Sequence, residues 1–445
     1  MLIKNICCIG AGYVGGPTMA MIALKCPDIK VTVVDHNSER IDAWNGSLEN
    51  LPIYEPGLSD IVEEVRGKNL FFSNDINASI DLAEMIFMAV NTPTKTEGVG
   101  AGMAADLSYI EACAKTIANA SKTNKIVVEK STVPIRTAEK IKEILNREAK
   151  EVHFEILSNP EFLAEGTAIG DLYKPDRVLI GGDQTGKEAV KALVDIYANW
   201  IPKDRILTTN VWSSELAKLA SNAMLAQRIS SINSLSALCE KTGAKIKELS
   251  KAIGMDHRIG PHFLRASVGF GGSCFKKDIL NLVYLCRHYG LNEVAEYWHQ
   301  VVKINNYQKT RFAQNIIDGL GGNVKGKKIT ILGWAFKANT NDSRESPAID
   351  ISSKLLEAGA SLKIYDPMVS KVRIIQDLKQ IKTNKGFSDN DINKHLNQIS
   401  VFNDMETSIF DSNGVGILTD WDQFKKYNWE SLKQKNIPVF SYMFS

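Results

Sequence analysis

A glycine-rich turn near the start of the chain constrains the fold more than any other feature. Residues 4–9 form a short apolar run that ends at Gly10-Ala11-Gly12-Tyr13-Val14-Gly15, and residues 16–25 are small and apolar. This pattern predicts a strand, a tight turn and a packed helix. Such glycines let the backbone approach a pyrophosphate at the helix N-terminus. The turn therefore indicates an α/β domain that binds a dinucleotide.

The acidic residue after the next predicted strand indicates which dinucleotide. Residues 30–34 alternate in polarity and end at Asp35. A carboxylate at this place binds the ribose diol and repels a 2′-phosphate. Arg40 could instead bind a 2′-phosphate, although an arginine there more often covers the adenine or faces solvent. The predicted cofactor is NAD rather than NADP.

Length and charge exclude several classes of protein. The 445 residues suffice for about three domains, and the hydrophobic fraction of 44% with a mean hydropathy of −0.14 is typical of a globular protein. A net charge of +2 gives no electrostatic reason to expect nucleic acid or a lipid surface as a partner. The apolar run at residues 19–24 is too short to span a membrane. We therefore expect no membrane association, no signal peptide and a cytoplasmic location.

Cysteine placement indicates one reactive thiol. The seven cysteines are odd in number and lack C-x-x-C spacing, so neither a disulfide framework nor a zinc site is expected. Cys274 ends a glycine-rich loop and opens a predicted helix beside Lys276 and Lys277, an environment that favours a thiolate. His257 and His262 have no acidic or cysteine partner nearby in sequence, so we expect no metal site. The other cysteines lie in apolar runs and are most simply explained as core residues: Cys7, Cys8, Cys26, Cys113, Cys239 and Cys286.

Three polar loops each follow an apolar run of the first half. The runs at residues 85–90, 126–128 and 152–157 alternate with helical patterns, which predicts a parallel sheet. The loops that follow occupy residues 91–94, 131–134 and 159–161. For any one loop, turn formation explains Asn, Thr and Pro equally well. Because ligands bind at the carboxyl ends of parallel strands, three such loops favour one continuous cofactor and substrate cleft.

A long helix and a second α/β pattern follow. Residues 212–241 contain no Pro or Gly and predict one helix of about 30 residues, roughly 45 Å long. Lys218 and Asn222 would share one of its faces, although Lys218 taken alone is better explained as a surface lysine. Near residue 320 the pattern restarts with predicted strands at 328–332, 361–365 and 414–418.

The turn after the strand at 328–332 differs from the first one. It has the single glycine Gly333, so its backbone cannot cradle a pyrophosphate. Phe336, Lys337 and Arg344 would instead suit a nucleotide base and its phosphates, the alternative being an exposed lysine loop. The predicted fold class is α/β, with two doubly wound Rossmann-like domains joined by a long central helix. The predicted domains are residues 1–207 (NAD-binding), 208–320 (central and helical, with the cysteine loop) and 321–445 (binding a nucleotide-bearing substrate).

A nucleophilic cysteine distinguishes between kinds of dehydrogenase. A two-electron dehydrogenase needs an acid or a base but no thiolate. Attack of a thiolate on an aldehyde gives a thiohemiacetal that can release a hydride and leave a thioester for hydrolysis. Cys274 therefore predicts a four-electron oxidation. A two-electron hydroxyacid dehydrogenase that uses Lys218 and Asn222, and a non-enzymatic NAD-sensing protein, remain alternatives.

These motifs together resemble the UDP-glucose/GDP-mannose dehydrogenase family. The resemblance covers nearly the whole chain, and the run at residues 269–275 is highly specific to nucleotide-sugar dehydrogenases. It implies oxidation of UDP-glucose to UDP-glucuronate with two NAD⁺, the alternative being the same chemistry on GDP-mannose or a UDP-N-acetylhexosamine. The motifs that carry it lie at residues 10–15, 90–94, 129–134, 159–166, 215–230, 269–278 and 336–347.

The resemblance also implies roles for individual residues. Cys274 would be the nucleophile, and Lys218 and Asn222 would stabilise the oxyanion. Asp278 and Glu161, through a water that Thr132 also holds, would serve the acid and base steps, with the assignment of protons left open. Implied cofactor contacts are Gly10, Ala11, Gly12, Tyr13, Val14, Gly15, Asp35, Arg40, Val90, Asn91, Thr92, Pro93, Thr94, Ser131, Glu165, Lys277 and Arg344. Implied substrate contacts are Glu161, Phe162, Leu163, Ala164, Glu165, Lys218, Asn222, Arg258 (which could reach a neighbouring subunit), Arg265, Ser267, Phe270, Gly271, Phe336 and Lys337.

Two further expectations concern assembly and the last residues. Two-fold pairing along the long helix predicts a homo-oligomer, a dimer or an assembly of dimers. Family members commonly continue past the last strand as Phe-Asp-Gly-Arg, with the arginine close to the substrate. Residues 438–445 read Pro-Val-Phe-Ser-Tyr-Met-Phe-Ser instead. We expect that cationic contact to be missing here and substrate affinity to be lower.

Overall fold

A computed structural model describes residues 2–183 and 186–442, apart from the side chain of Lys433. Residues 443–445, on which part of the C-terminal departure falls, lie outside the described residues. The chain divides into two compact units, Met1–Ser221 and Asn222–Ser445. Each contains one mostly or wholly parallel sheet with helices, so the predicted α/β fold class is confirmed.

The first unit is built on an eight-stranded sheet. Its strands are β1 (Asn5–Ile9), β2 (Lys30–Val34), β3 (Leu70–Ser73), β4 (Met85–Met88), β5 (Lys125–Glu129), β6 (Phe154–Ser158), β7 (Val178–Gly181) and β8 (Ile206–Thr209), in the order β3-β2-β1-β4-β5-β6-β7-β8. Its helices are α1 (Gly15–Lys25), α2 (Ser38–Asn45), α3 (Leu58–Val65), α4 (Ile76–Leu82), α5 (Ser108–Ala120), α6 (Thr137–Glu148), α7 (Ala168–Tyr173) and α8 (Lys187–Tyr197). The strand order reverses at β1, which creates the crevice where such sheets bind ligands.

One neighbouring pair of this sheet differs from the predicted parallel arrangement. β7 runs antiparallel to β6, with Ser158 opposite Gly181. The connection between them, residues 159–177, carries the six-residue helix α7. β8 then pairs parallel with β7.

The register of the sheet brings the strand ends to one edge. Ile9 pairs with Val34 on one side and with Met88 on the other, Met88 pairs with Glu129, and Glu129 pairs with Ser158. The glycine turn and the three polar loops therefore all leave the sheet at the same edge. Strands β1, β4 and β5 are almost wholly buried, as their apolar sequences require of strands covered on both faces.

Helix α9 (Val211–Thr242) is 32 residues long and confirms the predicted long helix. The boundary between the two units falls within it, after Ser221. Its length follows from the absence of Pro and Gly across residues 211–242. In the described part of the chain, no helix combines the length and the apolar character that crossing a bilayer requires.

The second unit contains a parallel sheet of five strands in the order β11-β10-β9-β12-β13. These are β9 (Lys328–Leu332), β10 (Ser361–Tyr365), β11 (Ile399–Val401), β12 (Gly414–Ile417) and β13 (Val439–Phe440). Its helices after α9 are α10 (Ile246–Gly254), α11 (Phe275–His288), α12 (Asn292–Gly319), α13 (Pro347–Glu357), α14 (Lys371–Asn384), α15 (Asp389–Leu396), α16 (Met405–Ile409), α17 (Asp422–Lys426) and α18 (Glu430–Gln434). The sheet and its helices bury a second apolar core that includes Trp334, Leu355 and Phe424.

Candidate active site

A side chain would have different consequences at each of the three glycines of the N-terminal turn. Gly10 has φ +113°, and a Cβ there would lie 2.4 Å from the Ala89 carbonyl oxygen. A Cβ on Gly15 would lie 2.0 Å from the Gly10 oxygen, whereas one on Gly12 meets nothing within 4 Å. Gly10 and Gly15 are therefore required by the fold, and Gly12 keeps the surface over the turn open. Because no side chain caps the N-terminus of α1, its first N–H groups suit a pyrophosphate.

Asp35 follows β2 and is held against this turn. One carboxylate oxygen accepts the Ala11 N–H at 2.9 Å and pairs with Arg40 Nη1 at 3.1 Å, while the other accepts the Asn37 N–H at 2.9 Å. Arg40 is therefore engaged by the carboxylate, which disfavours its use for a 2′-phosphate. The arrangement fits a ribose diol and supports NAD.

The loops that follow β4 and β5 are joined by side-chain hydrogen bonds. Thr92 Oγ1 donates to the Thr132 carbonyl at 2.7 Å, and Ser131 Oγ donates to the Val90 carbonyl at 2.6 Å. The two polar loops beside the glycine turn therefore form one continuous surface at the sheet edge.

A buried ion pair lies beside the third loop. Lys218 Nζ of α9 lies 3.1 Å from Glu161 Oε1, and Glu161 Oε2 accepts the Leu163 N–H at 2.7 Å. Lys218 is only 4% exposed, so the surface-lysine alternative is wrong. The Phe162 ring lies 5.5 Å from Lys218 Nζ and 3.8 Å from the Arg177 guanidinium. The loop thus gathers a carboxylate, an ammonium group and an aromatic ring.

A second buried lysine in this region was missed by sequence reasoning. Lys130, at the end of β5, donates to Asn159 Oδ1 at 3.0 Å and to the Tyr197 hydroxyl at 3.3 Å. Burial lowers its pKa to about 8; Lys218 also lowers it, and Glu161 opposes the shift. Lys130 stands directly before Ser131 and after an apolar strand, and that placement was the available signal.

A buried carboxylate that sequence reasoning also missed connects the glycine turn to the loop after β6. Glu55 is 5% exposed and accepts hydrogen bonds from the Tyr13 hydroxyl, from the Gly166 N–H at 2.5 Å and from the Ala168 N–H at 3.1 Å. Neither the turn nor the loop indicates this partner, because Glu55 lies far from both in sequence.

In the second unit, Cys274 caps the N-terminus of α11. It is exposed, and its Sγ lies 3.6 Å from Ser273 Oγ. The two lysines expected to favour the thiolate are both paired with carboxylates: Lys276 with Glu345 at 2.9 Å and Lys277 with Asp278 at 3.7 Å. Their positive charge is therefore partly compensated, and the helix N-terminus becomes the main cause that would favour a thiolate.

Asp278 lies one turn after the cysteine on α11 and is 2% exposed. Asn222 Nδ2 donates to Asp278 Oδ2 at 2.6 Å, and the Asp278 N–H donates to the Cys274 carbonyl at 2.9 Å. Cys274, Asp278 and Asn222 are therefore brought together as one group.

The glycines before Cys274 allow the cysteine loop to contact the loop that carries Phe336. A Cβ on Gly271 would lie 2.8 Å from Phe336 Cβ, and one on Gly272, with φ +83°, would lie 3.1 Å from its ring. Gly272 N–H donates to the Arg344 carbonyl at 2.9 Å. Lys337 Nζ lies 5.7 Å from the Phe336 ring. Phe270 is fixed by Asn305, which accepts its N–H at 2.8 Å and donates to its carbonyl at 3.0 Å.

Family models match nearly the whole chain. The NAD-binding domain of the UDP-glucose/GDP-mannose dehydrogenase family matches residues 4–201, the central domain matches residues 212–307 and the UDP-binding domain matches residues 330–441. The chain belongs to the UDP-glucose/GDP-mannose dehydrogenase family. It is an NAD-dependent nucleotide-sugar dehydrogenase, as the sequence predicted.

Individual relatives agree with the family models. The chain is 58% identical over 438 residues to UDP-glucose 6-dehydrogenase 3 of Arabidopsis thaliana, covering 96% of this chain and 90% of that protein. It is 57% identical over 438 residues to UDP-glucose 6-dehydrogenase 5 of Oryza sativa subsp. japonica, with the same coverage. A UDP-glucose dehydrogenase structure from Pyrobaculum islandicum matches with a TM-score of 0.82 at 30% identity, over 96% of this chain and 92% of that one.

The first turn of the family's UDP-binding domain is built differently from the NAD turn. Asp366 follows β10 as Asp35 follows β2, but one oxygen accepts the Trp334 and Ala335 N–H groups at 2.6 and 3.0 Å. The other accepts the N–H groups of the two residues at 368 and 369. Trp334 of this turn is fully buried, and its Nε1 donates to Asp377 Oδ2 at 3.0 Å.

Three further residues that the family resemblance assigned to substrate have polar partners within the second unit. Arg258 is paired with Asp256 at 2.7 Å on the surface, and Arg265 is paired with Asp420. Ser267 accepts the Gly269 N–H at 3.2 Å, within the loop that leads to Cys274. Within the described ranges, no group of three or more His, Cys, Asp or Glu side chains is placed to hold a metal.

Proposed function

We propose that this protein oxidises C6 of UDP-glucose to the carboxylate of UDP-glucuronate through a covalent intermediate on Cys274. The observation that carries the proposal is the position of Cys274, the one exposed cysteine among the described residues, at the N-terminus of α11 and one turn from Asp278. UDP-glucose is the favoured substrate because the relatives at 57–58% identity are named UDP-glucose 6-dehydrogenases.

The first oxidation converts the C6 alcohol to an aldehyde. NAD⁺ accepts the hydride in each of the two oxidations. A carboxylate accepts the hydroxyl proton. Asp278, which is buried, and Glu161, which is paired with Lys218, are assigned to proton transfer through a water that Thr132 also holds. Such proton transfer contributes about 10²- to 10⁴-fold to the rate.

The second oxidation uses the thiolate. Cys274 Sγ forms a bond to the aldehyde carbon, and the carbonyl oxygen becomes an alkoxide. Lys218 and Asn222, one turn apart on α9, donate hydrogen bonds to that oxygen, each contributing about 2.7–4 kcal/mol by comparison with other oxyanion donors. Loss of the second hydride gives a thioester, and water adds to its carbon and releases the carboxylate and the thiol.

The remaining contacts are assigned to the two ligands. NAD would be held by residues 10–15, Asp35, Arg40, residues 90–94, Ser131, Glu165, Lys277 and Arg344. UDP-glucose would be held by residues 161–165, Lys218, Asn222, Arg258, Arg265, Ser267, Phe270, Gly271, Phe336 and Lys337. The proposed domains remain residues 1–207, 208–320 and 321–445.

We also propose a homo-oligomer in the cytoplasm. Helix α9 carries the exposed apolar side chains Met224, Leu235 and Leu238, which supports pairing of two copies along it. A cysteine nucleophile works only while reduced, which favours the cytoplasm over an oxidising compartment. A monomer in light scattering at working concentration would overturn the proposed oligomer.

The test of the function is the number of NADH molecules formed per UDP-glucose consumed. We expect two for the wild type and for Cys286→Ser, a control on the same helix whose thiol is buried. Cys274→Ser should stop at the aldehyde level with at most one NADH. One NADH from the wild type would indicate a two-electron dehydrogenase, and turnover of GDP-mannose or a UDP-N-acetylhexosamine but not of UDP-glucose would overturn the substrate. No turnover of any sugar nucleotide would favour an NAD-sensing protein.

A further inference from the structure

Lys130 is a buried cation to which the mechanism above gives no role. It lies at the carboxyl end of β5, next to the loop that carries Ser131 and Thr132, and is 5% exposed. A buried ammonium group is costly unless hydrogen bonds and an opposite charge compensate it. Its surroundings therefore need an explanation.

The hydrogen bonds of Lys130 fix the start of the turn that carries Glu161. Asn159 is fully buried, and its Oδ1 accepts from Lys130 Nζ at 3.0 Å and from the Tyr197 hydroxyl at 2.7 Å. Asn159 Nδ2 donates to the Leu179 carbonyl at 2.8 Å, and its backbone N–H donates to the Glu129 backbone carbonyl at 2.8 Å. Because both ends of the amide are bonded, Asn159 has one orientation, and Glu161 follows it after a single proline.

The charges around Lys130 come from several elements. Lys130 and Glu161 line the same pocket, together with Arg177. The carboxylate of Glu161 is the opposite charge that offsets the ammonium, and Lys218 of α9 is a second cation near it. The other groups that face Lys130 are Cys8 of β1 and Tyr197 of α8. The Glu161 carboxylate thus lies near two buried lysines, Lys130 and Lys218.

We infer that Lys130 is a positioning residue for Glu161: through Asn159 it fixes the Asn159-Pro160-Glu161 turn, and it places a second positive charge beside the Glu161 carboxylate. Lys218 is ion-paired with Glu161 and, in the proposed function on which this inference rests, also stabilises the alkoxide. When Lys218 turns to the alkoxide, Lys130 continues to compensate Glu161. Two lysines are therefore needed where one would serve a simple ion pair.

The test is the dependence of kcat on pH in full-length variants with UDP-glucose and NAD⁺. In Lys130→Gln a donor to Asn159 remains but the charge is lost, so we expect the acidic limb of the profile to move to higher pH and kcat to fall about 10²-fold. Lys130→Arg keeps the charge and should keep the acidic limb near its wild-type position. The KM for NAD⁺ should change less than about twofold in both, because the Lys130 ammonium group is hydrogen-bonded to Asn159 and Tyr197.

Tyr197→Phe is the matched control for a purely structural role. It removes a hydrogen bond to Asn159 and keeps the charge of Lys130, so it should lower the melting temperature without moving the profile. A wild-type profile in Lys130→Gln, or a shifted limb in Tyr197→Phe, would overturn the inference. If Lys130→Gln does not fold, the test rests on Lys130→Arg and Tyr197→Phe, and a shifted limb in either overturns the inference. Failure of the proposed function is distinct, since the wild type would then not form two NADH from UDP-glucose.

Discussion

The hydroxyl of Tyr13 donates a hydrogen bond to the carboxylate of Glu55 in the interior of the first unit. The same carboxylate accepts the Gly166 and Ala168 N–H groups at the start of α7. Burial and the neighbouring Glu55 raise the pKa of the Tyr13 phenol, which keeps the proton on the donor. The glycine-rich turn and the loop after β6 are therefore joined through a single side chain.

Replacing Tyr13 with Phe should loosen that connection. The substitution removes one donor from a buried carboxylate, and we expect the free energy of unfolding to fall by about 1–3 kcal/mol in urea titration. The two backbone N–H groups still hold Glu55, so α7 should remain folded. An unchanged unfolding midpoint would mean that the hydroxyl contributes nothing to the connection.

Substitution at Gly12 should separate binding from folding. Its Cβ would meet no atom within 4 Å, so Gly12→Ala should fold like the wild type while the methyl group obstructs the pyrophosphate. We expect the Kd for NAD⁺, measured by calorimetry, to rise about tenfold or more. Gly10→Ala is the contrasting variant, because its Cβ would clash with the Ala89 carbonyl and the protein should be destabilised. Tight NAD⁺ binding by Gly12→Ala would contradict this account of the turn.

Removing the carboxylate of Asp35 should weaken the preference for NAD⁺. Asp35→Ser eliminates the repulsion of a 2′-phosphate and frees Arg40, which is now paired with it at 3.1 Å. The ratio of kcat/KM for NAD⁺ to that for NADP⁺ should fall about tenfold or more. The double variant that also carries Arg40→Ala should recover part of the preference, and an unchanged ratio in Asp35→Ser would refute the assignment.

The buried carboxyl groups of Glu129 and Glu215 should make the free energy of unfolding depend on pH. Both are buried, and Glu215 accepts the Arg136 and Ala138 N–H groups at 2.6 and 2.7 Å. Burial raises the pKa of Glu129, and the neighbouring Glu215 raises it further. Above about pH 4.5, the ordinary value, the folded state therefore holds a proton that the unfolded chain has lost. Stability should fall as pH rises from there towards the raised pKa.

Glu129→Gln tests this directly, because the amide can donate a hydrogen bond as a protonated carboxyl group does but cannot ionise. We expect its free energy of unfolding to depend less on pH than that of the wild type between about pH 5 and 8. Glu143→Gln, at an exposed residue of the neighbouring α6, serves as the control and should keep the wild-type slope. Equal slopes in all three proteins would show that Glu129 binds no more proton in the folded state than in the unfolded chain.

Asn222 should matter for catalysis beyond its contribution to folding. Asn222→Ala removes the 2.6 Å donor to Asp278 and one proposed donor to the alkoxide. We expect kcat to fall about 10²- to 10³-fold, measured by NADH formation at saturating UDP-glucose. Asn281→Ala, an equally buried amide on α11, should lower stability and leave kcat close to the wild type. Similar losses of kcat in both variants would indicate a general packing defect.

The local patterns of the sequence determined much of this protein. The glycine turn with Asp35 predicted the dinucleotide-binding unit and NAD, and the absence of Pro and Gly predicted α9. These features depend on residues that are close in sequence, because turns and helices form from short-range contacts. Short elements were missed for the same reason: β3, β7, β8, β11 and β13 span two to four residues each. The 28-residue helix α12 was also not identified.

Only the tertiary structure decided which polar groups meet. Tyr13 meets Glu55, and Lys130 meets Tyr197, across 42 and 67 positions of sequence. Lys218 became a buried partner of Glu161, and the lysines beside Cys274 acquired carboxylate partners. Burial makes each such pairing energetically necessary, since an unpaired polar group in the interior is costly. The partner itself is chosen by how separate strands and helices assemble, which no local pattern of residues specifies.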